Sequence, residues 1–188
     1  YPEPGAPLRW DLGYLGTYSS DRQPALERLM LAPSCEVKDA RLCVAGSQYP
    51  ADIEWPLNVQ RIEHLAPADH RSFYNSQRYT LNVTRADMVK AGYSPSVRLF
   101  EAAASGTPII SDMWAGLDEI FDVGSEILIA RSPADVVAYL RDISDEDRLS
   151  IAARARSKVL KHHTCHRRAE QLEEYVAQLA HRAQRKAV

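Results

Sequence analysis

Ser94, Arg98 and Glu101 are spaced four and three residues apart, so on a helix they share one face. Their neighbours are Val97, Leu99, Phe100 and a run of alanines, which makes two charges on that helix conspicuous. Pro95 suits a first helical position and Ser94 the cap before it. The backbone N–H groups of Ser96 and Val97 are then free at the positive end of the helix dipole, where an anion binds. One exposed dipole interaction contributes only about 0.3–1 kcal/mol. A phosphate site therefore needs a second donor, and Arg98 offers a two-pronged one. Glu101, set back along the helix, suits neutral hydroxyls such as the pair on a ribose. Together the three positions describe a nucleoside diphosphate. The competing reading is an i,i+3 surface ion pair between Arg98 and Glu101, worth about 0.2–0.5 kcal/mol.

Other clusters carry less. His162 and His166 are four apart beside His163 and Cys165, but no second ligand set stands at a fixed spacing, so a junction between helices is favoured over a metal site. Neither G-x-G-x-x-G nor GxxxxGK[ST] occurs, which argues against NAD binding and a P-loop kinase. The net charge of −2 gives no reason to expect nucleic acid. The basic tail, His181 to Lys186, reads as a helix end complementing its dipole. The three cysteines form no disulfide framework and point to a reducing cytoplasm. Asn82-Val83-Thr84 matches a glycosylation sequon by chance. No apolar run reaches the ~18 residues of a membrane span, and the N-terminal residues show no charged-then-apolar leader pattern.

The elements that must hold these residues alternate. Strands are expected at 12–18, 41–46, 60–65, 78–84, 107–111 and 126–130. Helices are expected at 25–32, 67–76 and 95–104, with a short turn in "LDEIF". Ser132-Pro133 with Asp135, and Ser144 with three acids, each start a further helix. A last helix begins near Thr164, with Leu172, Val176 and Leu179 on one stripe. This predicts an α/β fold: a Rossmann-like parallel sheet flanked by helices, with a helical C-terminal tail. Residues 1–10, with three prolines and a glycine, read as a linker in a piece of a longer chain. Residues 11–163 form the domain, and 164–188 a helix packing back on it or on a missing N-terminal domain. Ligands of such sheets sit beyond the strands' carboxyl ends, which marks the loops after Tyr18, Gly46, Thr84 and Ser111. The loop after Ser111 holds Trp114, a contact for donor or acceptor or a packing residue.

"PSVRLFEAAASGTPIISD" resembles the donor-site motif of group 1 glycosyltransferases, in particular the branch with spore-maturation-type proteins. "YLGTYSSDRQ", "LNVTRADMVKAGYSPSVRLFEAAASGTP", "GLDEIFDVGSEILIARS" and "KHHTCHRRAEQL" extend the likeness over most of the chain. The resemblance implies one half of a GT-B architecture, in which two Rossmann-like domains face a cleft and the C-terminal one holds the nucleotide sugar. It implies that Glu101 binds the ribose hydroxyls. Arg98 and the helix start at Ser94, Ser96 and Val97 would hold the diphosphate, and Gly16, Thr17, Ser19, Ser20 and Arg22 would line the first loop. Many members also carry a glutamate eight positions before the ribose-binding one, touching the transferred sugar. Here that position is Tyr93, so the contact falls to Asn82, Arg85 or Tyr93 itself. The implied donor is UDP- or GDP-linked, with no metal or other cofactor required. The implied enzyme is a bacterial, cytoplasmic hexosyltransferase, peripheral to the membrane at full length. Its general base would lie in the absent domain, leaving the fragment inactive. A nucleotide-sugar epimerase of the same architecture, or a non-catalytic binding module, would share these features.

Overall fold

The computed structural model describes Pro2, Glu3 and residues 5–186, with side chains to residue 180. The side chains of His181 to Lys186 lie outside the described residues. Strand β1 (Trp10–Leu15) is followed by α1 (Gln23–Leu26), a π turn (Glu27–Leu31) and α2 (Ala32–Glu36), one continuous helical run. Pro33 explains the π turn. It has no N–H for an α bond and its ring would strike the carbonyl four residues back, so the preceding turn widens and Ala32 donates to Glu27 five residues away. Then come β2 (Leu42–Ala45), β3 (Val59–Ile62), a 3-10 turn (Pro67–Asp69), α3 (His70–Asn75) and β4 (Gln77–Asn82). The chain continues through α4 (Ala86–Ala91), α5 (Val97–Ser105), β5 (Ile109–Ser111), α6 (Leu117–Ile120), β6 (Leu128–Ile129), α7 (Pro133–Asp142), α8 (Asp145–His162) and α9 (Cys165–Lys186).

All pairings are parallel, in the order β3-β2-β1-β4-β5-β6. The order reverses between β1 and β4, which opens a crevice at their carboxyl ends. Apart from edge strand β3, whose Gln60 is exposed, the sheet is buried on both faces, so its strands read as near-continuous apolar runs. Adjacent Ile109 and Ile110 point to opposite faces. Ile110 joins Leu12, Tyr14, Leu29, Leu81 and Val136 under α1, α2 and α7. Ile109 joins Tyr74, Leu99, Ala102, Ala103, Phe121 and Val159 under α3, α5 and α8. The fully buried Ala102 and Ala103 let α5 lie close on the sheet. Ser132 and Asp135 cap α7 reciprocally in a capping box.

Four expectations need correction. The cap of α5 is Ser96, whose hydroxyl accepts from Arg98 N, and not Ser94. The helix begins at Val97 because Ser96 stays extended (ψ 140°) and leaves Pro95 outside the first turn. Val97, expected on the apolar face, is 68% exposed at the helix mouth. Trp10, counted with the linker, opens β1 and buries its ring against Phe73. Finally α4 lies where no helix was expected, because it buries none of its residues and so shows no apolar stripe.

Candidate functional site

Arg98 stands at the switch point. Its Nε donates to the Leu15 carbonyl that ends β1 (2.6 Å), and its Nη1 to Asn82 Oδ1 at the end of β4 (2.9 Å). Its guanidinium lies 4.9 Å from the centre of the Tyr14 ring, a cation–π contact. Arg98 is only 8% exposed and forms no ion pair with a carboxylate among the described residues, although its charge acts to lower the pKa of the buried Asp112 carboxyl. Its Nη2 is neither sealed off nor matched to a protein acceptor. The competing Arg98–Glu101 surface pair does not form among the described residues, since the arginine turns inward to the strand ends.

Asn82 is fully buried and acts as the bracket for Arg98. Its Nδ2 donates to Ser111 Oγ (2.9 Å) and Thr84 Oγ1 (3.4 Å). Asp112 accepts from the Thr84 N–H and hydroxyl, both at 2.8 Å. Burial pushes the Asp112 carboxyl above its ordinary range, against the Thr84 and Ser111 bonds that favour its charged form.

Two further guanidiniums flank the crevice. Arg22 donates from Nη1 to Tyr14 Oη (2.9 Å) and to the Thr17 carbonyl (3.4 Å), folding back over its own loop. Arg61 donates to the carbonyls of Val44 and Gly46, and its guanidinium lies 4.2 and 4.5 Å from the ring centres of Tyr49 and Trp55, which themselves meet edge to face. Tyr49 in turn donates to the Gly16 carbonyl (3.0 Å). Burial, and then the neighbouring Tyr14, raise the Tyr49 hydroxyl's pKa, while Arg61, Arg22 and Arg98 act on it in the opposite direction. None of them forms an ion pair with a carboxylate among the described residues. A low-dielectric crevice edged by cations held only on neutral acceptors focuses positive potential on whatever enters. Gly46 makes the approach possible. With φ +145°, a Cβ there would fall 2.0 Å from the Gly16 carbonyl oxygen.

One turn along α5, Glu101 keeps its side chain 40% exposed. Its Oε2 accepts from Tyr74 Oη (3.2 Å) and lies 4.0 Å from His70 Nδ1, both residues of α3. Burial raises the Tyr74 pKa, which keeps the phenol protonated and donating. Oε1 has no partner among the described residues. At the mouth of α5, the N–H groups of Ser96 and Val97 have no acceptor among the described residues.

The structure thus gathers Gly16, Thr17, Arg22, Asn82, Ser96, Val97, Arg98 and Glu101 around the β1/β4 crevice. Ser94 is half-buried just before the mouth, and Ser20 is exposed on the first loop. Ser19 donates to Asp21, which also accepts from Ala86 N (3.1 Å) and Arg85 Nε (3.5 Å). These bonds hold the Asp21 carboxyl below its ordinary range, the Ser19 one most. Arg85 is thereby tied to the β1 loop. Tyr93 leans away from the crevice toward α6. In the histidine cluster, His163 Nδ1 meets Arg168 Nη2 (2.6 Å) and His166 meets Glu170 (3.1 Å). Among the described residues no three His, Cys, Asp or Glu side chains come together.

A family model described as glycosyl transferase-like matches residues 22–174, most of the chain. The chain belongs to this glycosyltransferase family. Solved structures share the fold of this glycosyltransferase-like domain. The C-terminal domain of the group 1 glycosyl transferase LpcC from Francisella tularensis is 15% identical with a TM-score of 0.66, over 88% of this chain and 96% of that one. Sucrose-phosphate synthase from Thermosynechococcus elongatus is 14% identical (TM-score 0.73), over 95% of this chain and 49% of that one. HepE from Anabaena, solved in complex with UDP-glucose, is 12% identical (TM-score 0.71), over 89% of this chain and 48% of that one. The chain therefore spans about half the length of the latter two proteins. No curated protein matches the sequence. The fold is that of the C-terminal domains of GT-B glycosyltransferases, and no helix of the described residues is long and apolar enough to cross a membrane.

Proposed function

We propose that this domain binds the nucleotide-diphosphate-sugar donor of a GT-B glycosyltransferase. The observation that carries this reading is Arg98: a buried cation at the switch point, in no ion pair with a carboxylate among the described residues and with Nη2 spare beside the open mouth of α5. A diphosphate supplies the negative charge that such a cation lacks. Ribose hydroxyls then meet Glu101 Oε1, one turn farther along. As the glycosidic bond breaks, charge grows on the departing diphosphate, and Arg98 with the helix dipole stabilises it. A UDP-linked hexose is the donor we favour, since HepE was solved with UDP-glucose. The acceptor site and general base belong to a second domain, and the enzyme to the spore-maturation-like branch, working in the cytoplasm at the membrane periphery.

Calorimetric titration with UDP, GDP and their sugars tests the reading. Ligand at about 100 times Kd stabilises the fold by ~2.7 kcal/mol, seen as a higher melting temperature. A melt unmoved by every nucleoside diphosphate at millimolar concentration overturns it.

A further inference from the structure

The connection from β2 to β3 differs from the others. Neighbouring parallel strands are usually joined through a helix, and every other strand-to-strand connection contains one. Residues 46–58 do without. The loop is nonetheless pinned at both ends. At its start the Tyr18 N–H donates to the Ser47 carbonyl (2.9 Å). At its end Asn58 Nδ2 donates to the carbonyls of Ser34, Val37 and Ala40, each at 3.1 Å. Gln48 has φ +67°, a left-handed conformation uncommon outside glycine. A long loop without secondary structure, held fast in a strained conformation, marks a candidate for binding.

The loop brings aromatic rings to the strand ends. Tyr18 and Tyr49 meet edge to face with ring centres 5.6 Å apart, and Tyr49 and Trp55 at 5.4 Å. Tyr49, Trp55 and Arg61 line an open cavity of about 440 Å3 that also has Gln48, Pro50 and Glu63 in its wall. That volume lies in the range of small-molecule sites. The Trp55 indole N–H is neither sealed off nor matched to an acceptor among the described residues. Gln48 and Glu63 are both exposed. Aromatic rings suit the C–H face of a sugar, while an indole N–H, an amide and a carboxylate bind its hydroxyls. An anion suits the cavity less, because the Glu63 carboxylate in the same wall repels it.

The cavity and the donor crevice lie on opposite faces of the sheet. Tyr49 and Trp55 pack on the core under α1, α2 and α7. Tyr74, the partner of Glu101, belongs to the core under α3, α5 and α8. A nucleotide laid along α5 with its ribose at Glu101 therefore leads away from the cavity. The two still meet at the first loop, where Tyr49 donates to the Gly16 carbonyl (3.0 Å).

We infer that this cavity is a carbohydrate subsite, separate from the donor crevice, and that it holds a ring of a saccharide acceptor whose reacting end lies in the second domain's site. Saccharide binding stands on the cavity alone, and the acceptor role rests on the donor-binding reading.

The test titrates the chain with maltose, cellobiose, lactose and N,N′-diacetylchitobiose, with and without UDP. Of the three tryptophans, Trp10 and Trp114 are buried, so a change in emission on binding reports Trp55. At least one disaccharide should shift the emission and show saturation transfer in NMR, and saturating UDP should not displace it. Trp55→Phe keeps a ring beside Arg61 and removes the indole N–H. Gln48→Gly suits the left-handed backbone, so the loop keeps its fold while the amide is lost. By saturation transfer, each variant should bind the disaccharide about tenfold more weakly, with UDP affinity within twofold of wild type. Binding of none of the disaccharides overturns the subsite, as does saccharide affinity unchanged in both variants. Displacement by UDP would make the cavity part of the nucleotide site and overturn it too. Equal losses for saccharide and UDP would reduce the loop to a support for Arg61, with the same result. A wild-type chain that binds a disaccharide but no nucleoside diphosphate overturns the donor reading and the acceptor role with it, an outcome distinct from all of these.

Discussion

Replacing Arg98 by lysine keeps the charge and removes the fork. The arginine spans two acceptors, Leu15 O at 2.6 Å and Asn82 Oδ1 at 2.9 Å, on different strands. An ammonium on a narrower head can serve one of them. One lost bond from a charged donor costs about 1.5–3 kcal/mol, and the weakened contact with Tyr14 adds about 0.5–1 kcal/mol. The sum centres near 3 kcal/mol. For a chain of this size that corresponds to a melting temperature lower by about 6–12 °C, or a urea midpoint lower by roughly 1–1.5 M. Asn82→Ala should be non-additive with it, with a coupling of about 0.5–3 kcal/mol, because the two residues share a bond. Urea unfolding followed by circular dichroism measures the stabilities, and calorimetry measures UDP affinity, expected to fall at least tenfold. An Arg98→Lys chain that unfolds at the wild-type midpoint would show that the strand-bridging bonds contribute nothing. One that binds UDP as tightly as wild type would refute the fork as the phosphate donor.

Four further outcomes are expected. Tyr74→Phe frees Glu101 to rotate, so UDP affinity falls about threefold to tenfold while affinity for a 2′,3′-dideoxy nucleotide, which has no hydroxyl for Glu101, stays level in calorimetry. Gly46→Ala drives a methyl into the Gly16 carbonyl from a left-handed backbone and should cost about 3 kcal/mol or more in chemical denaturation. Ser132→Ala removes the α7 cap at about 1 kcal/mol, and Asp135→Asn alters the acid limb. Backbone N–H bonds from Arg131 and Ser132 hold the Asp135 carboxyl below its unfolded value of 3.8. Its contribution is therefore present above pH 3.8 and lost as pH falls through the lower folded value, and Asp135→Asn should flatten stability against pH in that window alone.

Much of this architecture is legible in the chain. Six short runs alternating with helical ones mark the six strands, most plainly where both faces are buried, as in β2 (LCVA), and least in edge strand β3 (VQRI), whose Gln60 is exposed. The strand order is not written in any local pattern. It follows from which helix crosses which face, and with it went the finding that β1 and β4 are the neighbours that matter. Arg98 and Glu101 were visible as two charges on an apolar helix. Their partners were not. Tyr74 and His70 come from α3, Tyr14 from the middle of a core strand, and Arg61 from the sheet edge, so only the fold brings them in. Ser94 and Ser96 are equally good caps by type, and the choice between them depends on how Pro95 leaves the preceding loop. Tyr93 is marked in the sequence by the resemblance, as the position where many members keep a glutamate, and its positive φ appears only in three dimensions.

The double duty of Arg98 has a consequence for how this family drifts over time. On the proposed reading, a duplicate freed from catalysis no longer needs to hold a diphosphate, but it still needs β1 and β4 tied together at their ends. Selection for a folded chain alone will therefore retain the arginine. Glu101 has no such protection. It is partly exposed, anchored only to Tyr74 and His70, and its loss leaves the core intact. Among descendants of this domain, the glutamate should disappear first and the arginine persist as a fossil. Glu101, not Arg98, is then the residue by which working copies can be told from retired ones.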